Sequence, residues 1–416
     1  MRRVCTESGR RAWLLADGVA PAISERAARH DADGTFPHQD FDDLRSAGYL
    51  ALTAPEELGG HGAALPEMII AQERLAAASG PTALAANMHL SITGQLARRW
   101  RAAPTGRLTE LLGEVVAGRV LFAPITAEPG HSLVRSTGSK ATRVDGGFRV
   151  RGRKVFGTNS EVMTHLVSIA LDVDHPDGPH VIGFRVPVDS ETIQPVAGTW
   201  HSGGMRATVS QDVELLDVFV PEDAVTFSFP EGMLDGSLLQ NLWGWSMPSF
   251  GAVYLGIARG ALTAAIAEVD RRGWQDRSGV RALLSEAEMR QSSAWALVSA
   301  VAEEVMGNGL WRDGTVQDGM ARVVLAKHVA TITAVEVVDL VARIVGSSVM
   351  RAGSVFERAW RDVRAGTVHP YSTTDAMDLI ADTVLGRSVA AERRPDVETL
   401  PAQTPGAALL TATIPW

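Results

Sequence analysis

The sequence predicts a three-part fold: an N-terminal α-helical domain, a middle β-barrel or β-sandwich domain, and a C-terminal four-helix bundle. Three observations predict it. Apolar residues recur at helical spacing up to about residue 120, alternate as in strands over 121–238, and return to long helical runs over 239–395, with a tail over 396–416. The chain has 416 residues, enough for a large core, and its 45% hydrophobic against 21% charged residues exclude a disordered polymer.

In the first zone, Phe41-Leu44-Leu50 and Met68-Ile69-Ile70-Leu75 place apolar groups on single helix faces. The alanine-rich stretches Ala76-Ala77-Ala78 and Ala83 to Ala86 suit close helix packing. Thr53 to Gly62 reads as a loop, because Pro55 stops a helix and Gly59, Gly60 and Gly62 permit turns. In the second zone, Thr142-Arg143-Val144 and Phe148 to Arg151 alternate about Asp145-Gly146-Gly147, the pattern of a β-hairpin. Further strands are expected at His165 to Leu171, His180 to Val188 and Asp212 to Val220. In the third zone, Phe250 to Val269, Glu286 to Met306, Met320 to Val345 and Thr374 to Leu385 read as the four bundle helices. Pro401 to Trp416 is expected to be a loose extension.

The chemistry available to such a chain is narrowed by what it lacks. Lys+Arg is 39 against Asp+Glu 48, a net charge of -9, which argues against coating nucleic acid or an anionic membrane. A single cysteine, Cys5, excludes an internal disulfide and thiolate-rich metal sites, and fits a reducing compartment. Met1-Arg2-Arg3 is not followed by the apolar run of a signal peptide, and charges interrupt the apolar stretches, so a soluble cytoplasmic protein is expected. Metallohydrolase, acyl-enzyme, P-loop and dinucleotide fingerprints do not occur, and the eleven histidines show no metal-ligand spacing. A well-cored chain of this kind is a scaffold or an enzyme whose cofactor carries the chemistry.

Five loop and helix segments then fall into one pattern. Pro55-Glu56-Glu57-Leu58-Gly59-Gly60-His61-Gly62, Thr126-Ala127-Glu128-Pro129-Gly130 and Gly152-Arg153-Lys154-Val155-Phe156-Gly157-Thr158-Asn159 are followed by Gly204-Met205-Arg206-Ala207-Thr208 with Val218-Phe219-Val220-Pro221, and by Phe356-Glu357-Arg358-Ala359-Trp360-Arg361-Asp362. In this order they resemble the signature segments of the acyl-CoA dehydrogenase superfamily, from about Phe36 to Gly386. The resemblance implies an acyl-CoA dehydrogenase-like fold, a homotetramer or homodimer, and one flavin per subunit between the β domain and the bundle. FAD is the implied flavin, with FMN as the alternative. By the same resemblance Thr126, Phe156 and Thr158 would contact the flavin ring, Ser132 its pyrophosphate, and Arg272 would be a further cofactor contact. Arg361-Asp362 reads as an ion pair within the bundle.

A dehydrogenase of this family needs a carboxylate to remove the α-proton. Its usual position falls on Pro370, and no Asp or Glu lies between Val363 and Thr374. The alternative position falls at or next to Ser246, and Gly236 through Ala267 contains no acidic residue. His369 stands nearby instead, similar to the monooxygenase members that hydroxylate rings or oxygenate sulfur and amines. Those use O2 and reduced flavin from a separate reductase through a C4a-hydroperoxide, where an imidazole can donate and accept a proton. The expected catalytic residues are therefore His369, Ser246 and His89, acting on a small-molecule substrate, with no metal. Trp243 and Trp245 could wall the substrate chamber. An acyl-CoA dehydrogenase with its base on another helix and a non-catalytic oligomeric scaffold remain the competing readings.

Overall fold

Thr6 opens the first helix by accepting the Gly9 N–H, and Gly34 ends it in the left-handed region with φ 61°. The computed structural model describes residues 2–130, 136–307, 310, 314–393 and 411–415. A short strand β1 (Arg2–Cys5) precedes the helices α1 (Glu7–Asp33), α2 (His38–Ser46), α3 (Leu65–Ala78), α4 (Gly80–Ala102) and α5 (Gly106–Val116). Between α3 and α4 lies only Ser79, whose hydroxyl accepts the Thr82 N–H and starts the second helix at once.

The middle domain is one eight-stranded sheet. Its strands are β2 (Phe122–Pro124), β3 (Lys140–Val144), β4 (Gly147–Gly157), β5 (His165–Asp172), β6 (His180–Pro187), β7 (Ile193–Val196), β8 (Gln211–Pro221) and β9 (Val225–Pro230). They run in the order β7-β8-β4-β3-β5-β6-β9, with β2 pairing β5 in parallel. The anticipated hairpin is present, Val144 opposite Gly147 with Gly146 at φ 74° in the turn. Phe148, Val150, Leu166, Phe184, Val213 and Val220 form this domain's own core. The short strands β7 and β9 were not anticipated.

Two short strands and a helical lead-in connect sheet to bundle. β10 (Leu234–Asp235) pairs in parallel with β11 (Glu392–Arg393). α6 (Gly236–Leu238) runs through a π-turn at Leu239–Trp243 into α7 (Gly244–Arg272). The bundle continues with α8 (Ser278–Met306), α9 (Val316–Val345), α10 (Val355–Val368) and α11 (Thr373–Val384). The bundle thus differs from the four helices expected. α10, which sequence periodicity did not single out, packs on both α7 and α9, and α11 packs on α9.

α7 is the central helix, touching α3, α4, α8, α9 and α10. It corrects a second expectation, because it is long and apolar enough by length and composition to cross a membrane, yet 67% of that stretch is buried inside the protein. Its glycines explain the close crossings. A Cβ on Gly256 would lie 2.4 Å from the Glu73 carbonyl oxygen, so α3 and α7 meet backbone to backbone. On α4, Gly94 leaves the space that the Trp245 ring fills.

The chain's last described strand, β12 (Ala412–Pro415), pairs antiparallel with β1 and buries Ile414 against Cys5 and Trp13. That end of the tail is therefore docked rather than loose, because an apolar strand completes an otherwise open edge.

Candidate active site

On the sheet side, the end of β4 turns sharply. Phe156 has φ 57° and Asn159 φ 70°, positive values uncommon for residues with side chains. Phe156 is 66% exposed and meets Trp200 edge-on at 6.4 Å. Thr158 is buried and its hydroxyl lies 2.8 Å from Ser210, which donates to Thr208, which in turn donates to the Met205 carbonyl at 3.0 Å. The Asn159 amide donates to the Ala85 and Phe122 carbonyls, tying this turn to α4 and β2. Among the described residues, its Oδ1 and the Ser160 hydroxyl are buried without a hydrogen-bond partner.

The loop carrying Thr126 is pinned beside this turn. The Ala127 carbonyl accepts the Val155 N–H at 2.9 Å, which sets Thr126 next to Phe156. Glu128 forms a buried ion pair with Lys154, and also accepts from Ser139. Lys154 donates in addition to the Ile169 carbonyl at 2.8 Å. Burial pushes the Glu128 carboxyl up, but the Lys154 ammonium and the Ser139 hydroxyl outweigh it and hold the carboxyl below its usual range. An exposed aromatic at a strained strand end, flanked by hydroxyls and orphaned polar atoms, fits a flat ring with hydrogen-bonding edges. Thr126, Phe156 and Thr158 would hold such a ring. Ser132 lies outside the described residues.

On the bundle side, His369 ends α10, its N–H bonded to the Ala365 carbonyl. Its imidazole sits edge-on to Phe250 and Tyr254, with ring centroids 5.7 and 5.5 Å away. The Tyr254 hydroxyl is 3.1 Å from Nδ1 and 3.4 Å from Nε2. Burial, then the Lys327 ammonium, pushes the imidazole down to about 3, so it is neutral at physiological pH. Tyr254 reaches the histidine because Gly366 has no side chain; a Cβ there would lie 2.8 Å from the tyrosine ring. Trp243, on the π-turn, meets Tyr371 edge-on at 5.8 Å, which extends the aromatic wall past His369.

Sheet and bundle meet at residues 203–205, where Arg361 donates to the Gly203 carbonyl at 3.1 Å. The Met205 N–H donates to Asp362 Oδ1 at 2.5 Å, two helical turns before His369. Burial raises the Asp362 carboxyl to about 7. The expected Arg361–Asp362 pair is replaced by a different arrangement. Arg361 binds Asp31 on α1 at 2.6 Å and also Glu357, because its side chain points away from its neighbour's.

The remaining sequence candidates are engaged in the packing, Ser246 on α7 between Trp243 and Phe250. Ser246 donates to the Leu242 carbonyl within its own helix. His89 is fully buried, with Nε2 2.9 Å from the Leu50 carbonyl and Nδ1 accepting the Phe122 N–H at 3.1 Å. Both ring nitrogens are thereby occupied by main chain, and His89 pins α4 to β2 and to the turn at Tyr49–Ala51. Arg272 lies at the far end of α7, 26 residues and so roughly 40 Å along the helix from Ser246. There it pairs with Glu268 and donates to Ser348, so one chain does not bring it to the other candidates.

Sequence reasoning missed Tyr254, Phe250, Lys327 and Tyr371. Tyr254 carried a usable signal, a polar group on an otherwise apolar helical run.

His89 also sets an acid limit. Burial, outweighing its hydrogen bond to Leu50, lowers its pKa to about 4, against about 6.5 in an unfolded chain. The neutral ring is favoured in the fold, so its contribution is complete above pH 6.5 and is lost as pH falls toward 4. The loss by pH 4 amounts to about 3 kcal/mol. Urea unfolding at pH 7 and pH 4.5 is expected to give a flatter pH dependence for His89→Gln than for the wild type. Equal slopes would remove His89 from this role.

Comparison with known proteins places this arrangement. The model for the acyl-CoA dehydrogenase N-terminal domain matches residues 15–100, and that for the C-terminal domain residues 249–373. The chain is 30% identical over 398 residues to the amino sugar nitrososynthase DnmZ of Streptomyces peucetius, covering 92% of this chain and 95% of that one. It is also 30% identical over 374 residues to the putative acyl-CoA dehydrogenase YdbM of Bacillus subtilis, covering 86% and 93%. A solved structure of KijD3 in complex with FMN and dTDP-3-amino-2,3,6-trideoxy-4-keto-3-methyl-D-glucose superposes with a TM-score of 0.83 at 28% identity, covering 95% and 97%.

Proposed function

The chain belongs to the acyl-CoA dehydrogenase superfamily, on its flavin-monooxygenase branch, and from that premise we propose that it oxygenates the amino group of a nucleotide-linked amino sugar, using reduced flavin from a separate reductase. One observation carries the reading. Pro370 and Ser246 stand at the two positions where a dehydrogenase of this fold would need a carboxylate, and a neutral imidazole, His369, lies beside the first. Without a carboxylate, the α-proton of an acyl thioester lacks the acceptor that a dehydrogenase of this fold uses.

Thr126, Phe156 and Thr158 would hold the flavin, which when bound and reduced supplies the activation of O2. The KijD3 complex favours FMN, where the motifs favoured FAD. Burial raises the Tyr254 phenol well above its ordinary value, so it stays protonated and donates to His369. Donation to the nearer Nδ1 leaves the imidazole proton on Nε2; loss of that proton is balanced by passage of the Tyr254 proton to Nδ1, and return reverses both, so the ring stays neutral. Phe250, Trp243 and Tyr371 exclude water from that exchange. Assembly as a dimer or tetramer is supported by Val368, Met377, Val384 and Leu385, apolar side chains exposed on α10, α11 and the turn after it. The single cysteine suits work in the cytoplasm.

A flavin reductase, NADH, O2 and a panel of TDP-linked amino sugars test the reading. An N-oxidised sugar is expected only when all components are present. Bleaching of the oxidised flavoprotein by an acyl-CoA thioester under anaerobic conditions would overturn it in favour of dehydrogenation.

A further inference from the structure

Lys327 lies on α9 in the middle of the bundle, 1% exposed, next to His328. It forms no ion pair among the described residues. Its ammonium instead donates to three main-chain carbonyls, those of Gly366 at 2.7 Å, His369 at 2.9 Å and Tyr371 at 2.8 Å. Three donors meet three acceptors, all on the six-residue segment that ends α10 and carries His369.

A helix leaves its last carbonyls without partners inside the helix, and its C-terminus favours a positive charge. Here α9 supplies both from outside. The Thr367 carbonyl, between the others, accepts from Thr373. Four of the segment's six carbonyls thus accept from side chains of two other elements.

We propose that Lys327 is the positioning residue for His369: it caps α10 from α9, fixes the 366–371 segment, and holds the imidazole against Tyr254. The inference rests on the reading that His369 acts in oxygenation. The charge has a second consequence. The ammonium disfavours a proton on the nearby imidazole, adding to the effect of burial. The titratable groups around Lys327 are Asp375 at the start of α11, His328 on α9, and His369 with its partner Tyr254.

The test compares Lys327→Met, Lys327→Gln, His369→Ala and the double variant Lys327→Met/His369→Ala, each loaded with flavin. Lys327→Met is expected to keep flavin binding but to lower product formed per O2 by about 100-fold, the cost of misplacing a reacting group by about 1 Å. Hydrogen peroxide replaces the missing product. Lys327→Gln, which keeps two donors, falls between it and the wild type, and serves if the methionine variant does not fold. The double variant is expected to be no worse than His369→Ala. Flavin-free protein with 13C-labelled histidine gives an independent reading: the imidazole signal absent from His369→Ala should titrate at a higher pH in either Lys327 variant. Additive losses, unchanged product per O2, or an unmoved histidine titration would overturn the proposal. A fully active His369→Ala would instead overturn the function assigned to the site, and the histidine titration would still decide the part played by Lys327.

Discussion

His369→Ala is expected to lower product formation by about 10²–10⁴-fold, the usual contribution of a positioned acid–base group, with flavin binding and assembly unchanged. The separation follows from geometry. The residues that would hold the flavin lie on β4 and the loop after β2, whereas His369 belongs to α10 and touches Phe250 and Tyr254 on α7. Removing the ring frees the Tyr254 hydroxyl but leaves Lys327 bonded to the backbone of residue 369. The segment should therefore keep its course, and the defect should be chemical. His369→Asn, which offers Tyr254 a hydrogen-bond partner without a titratable ring, should be as inactive as alanine. A wild-type rate in either variant would dismiss His369 from the mechanism.

The second large effect is expected on the sheet side. Lys154→Met should destabilise the protein by about 3–5 kcal/mol, because it strands a buried carboxylate. Lys154 is fully buried and the Glu128 side chain is only 4% exposed, so water does not replace the missing ammonium. Glu128 sits two residues after Thr126, and its bonds to Lys154, Ser139 and Gly138 fix the loop's path. The same substitution is thus expected to weaken flavin binding. Glu128→Gln should cost less, since the amide oxygen still accepts from the main chain. Thermal unfolding and flavin titration check both variants. An unchanged midpoint together with unchanged flavin affinity in Lys154→Met would refute this account.

Legibility in the sequence followed the range of the contacts. The hairpin at Val144–Gly147, the strands β5, β6 and β8, and the middle of α7 were readable because local periodicity and turn residues encode them. The pairing of β1 with β12 was not, since the partners stand more than 400 residues apart and neither strand is long enough to show alternation. α10 escaped the helical count because its charged face, with Glu357, Arg358, Arg361 and Arg364, masks the apolar stripe of Phe356, Ala359 and Val363. The site shows the same division. His369 is legible as a candidate from the missing carboxylates around it. Lys327 and Tyr254 reach it across 42 and 115 residues, and within one chain α7 carries Arg272 to its opposite end.

The bond from the Met205 N–H to Asp362 bears on how such proteins diversify. Gly204, next to it, comes so close to α10 that a Cβ would lie 2.4 Å from the Arg361 carbonyl oxygen. Sheet and bundle are therefore fitted to each other at backbone level, at the seam between the flavin-facing and histidine-facing halves. Exchanging either half with a relative's would carry a mismatch at this seam unless both sides travelled together. Substitutions around His369 leave this seam untouched, whereas a change at Gly204 or Asp362 is felt by both halves.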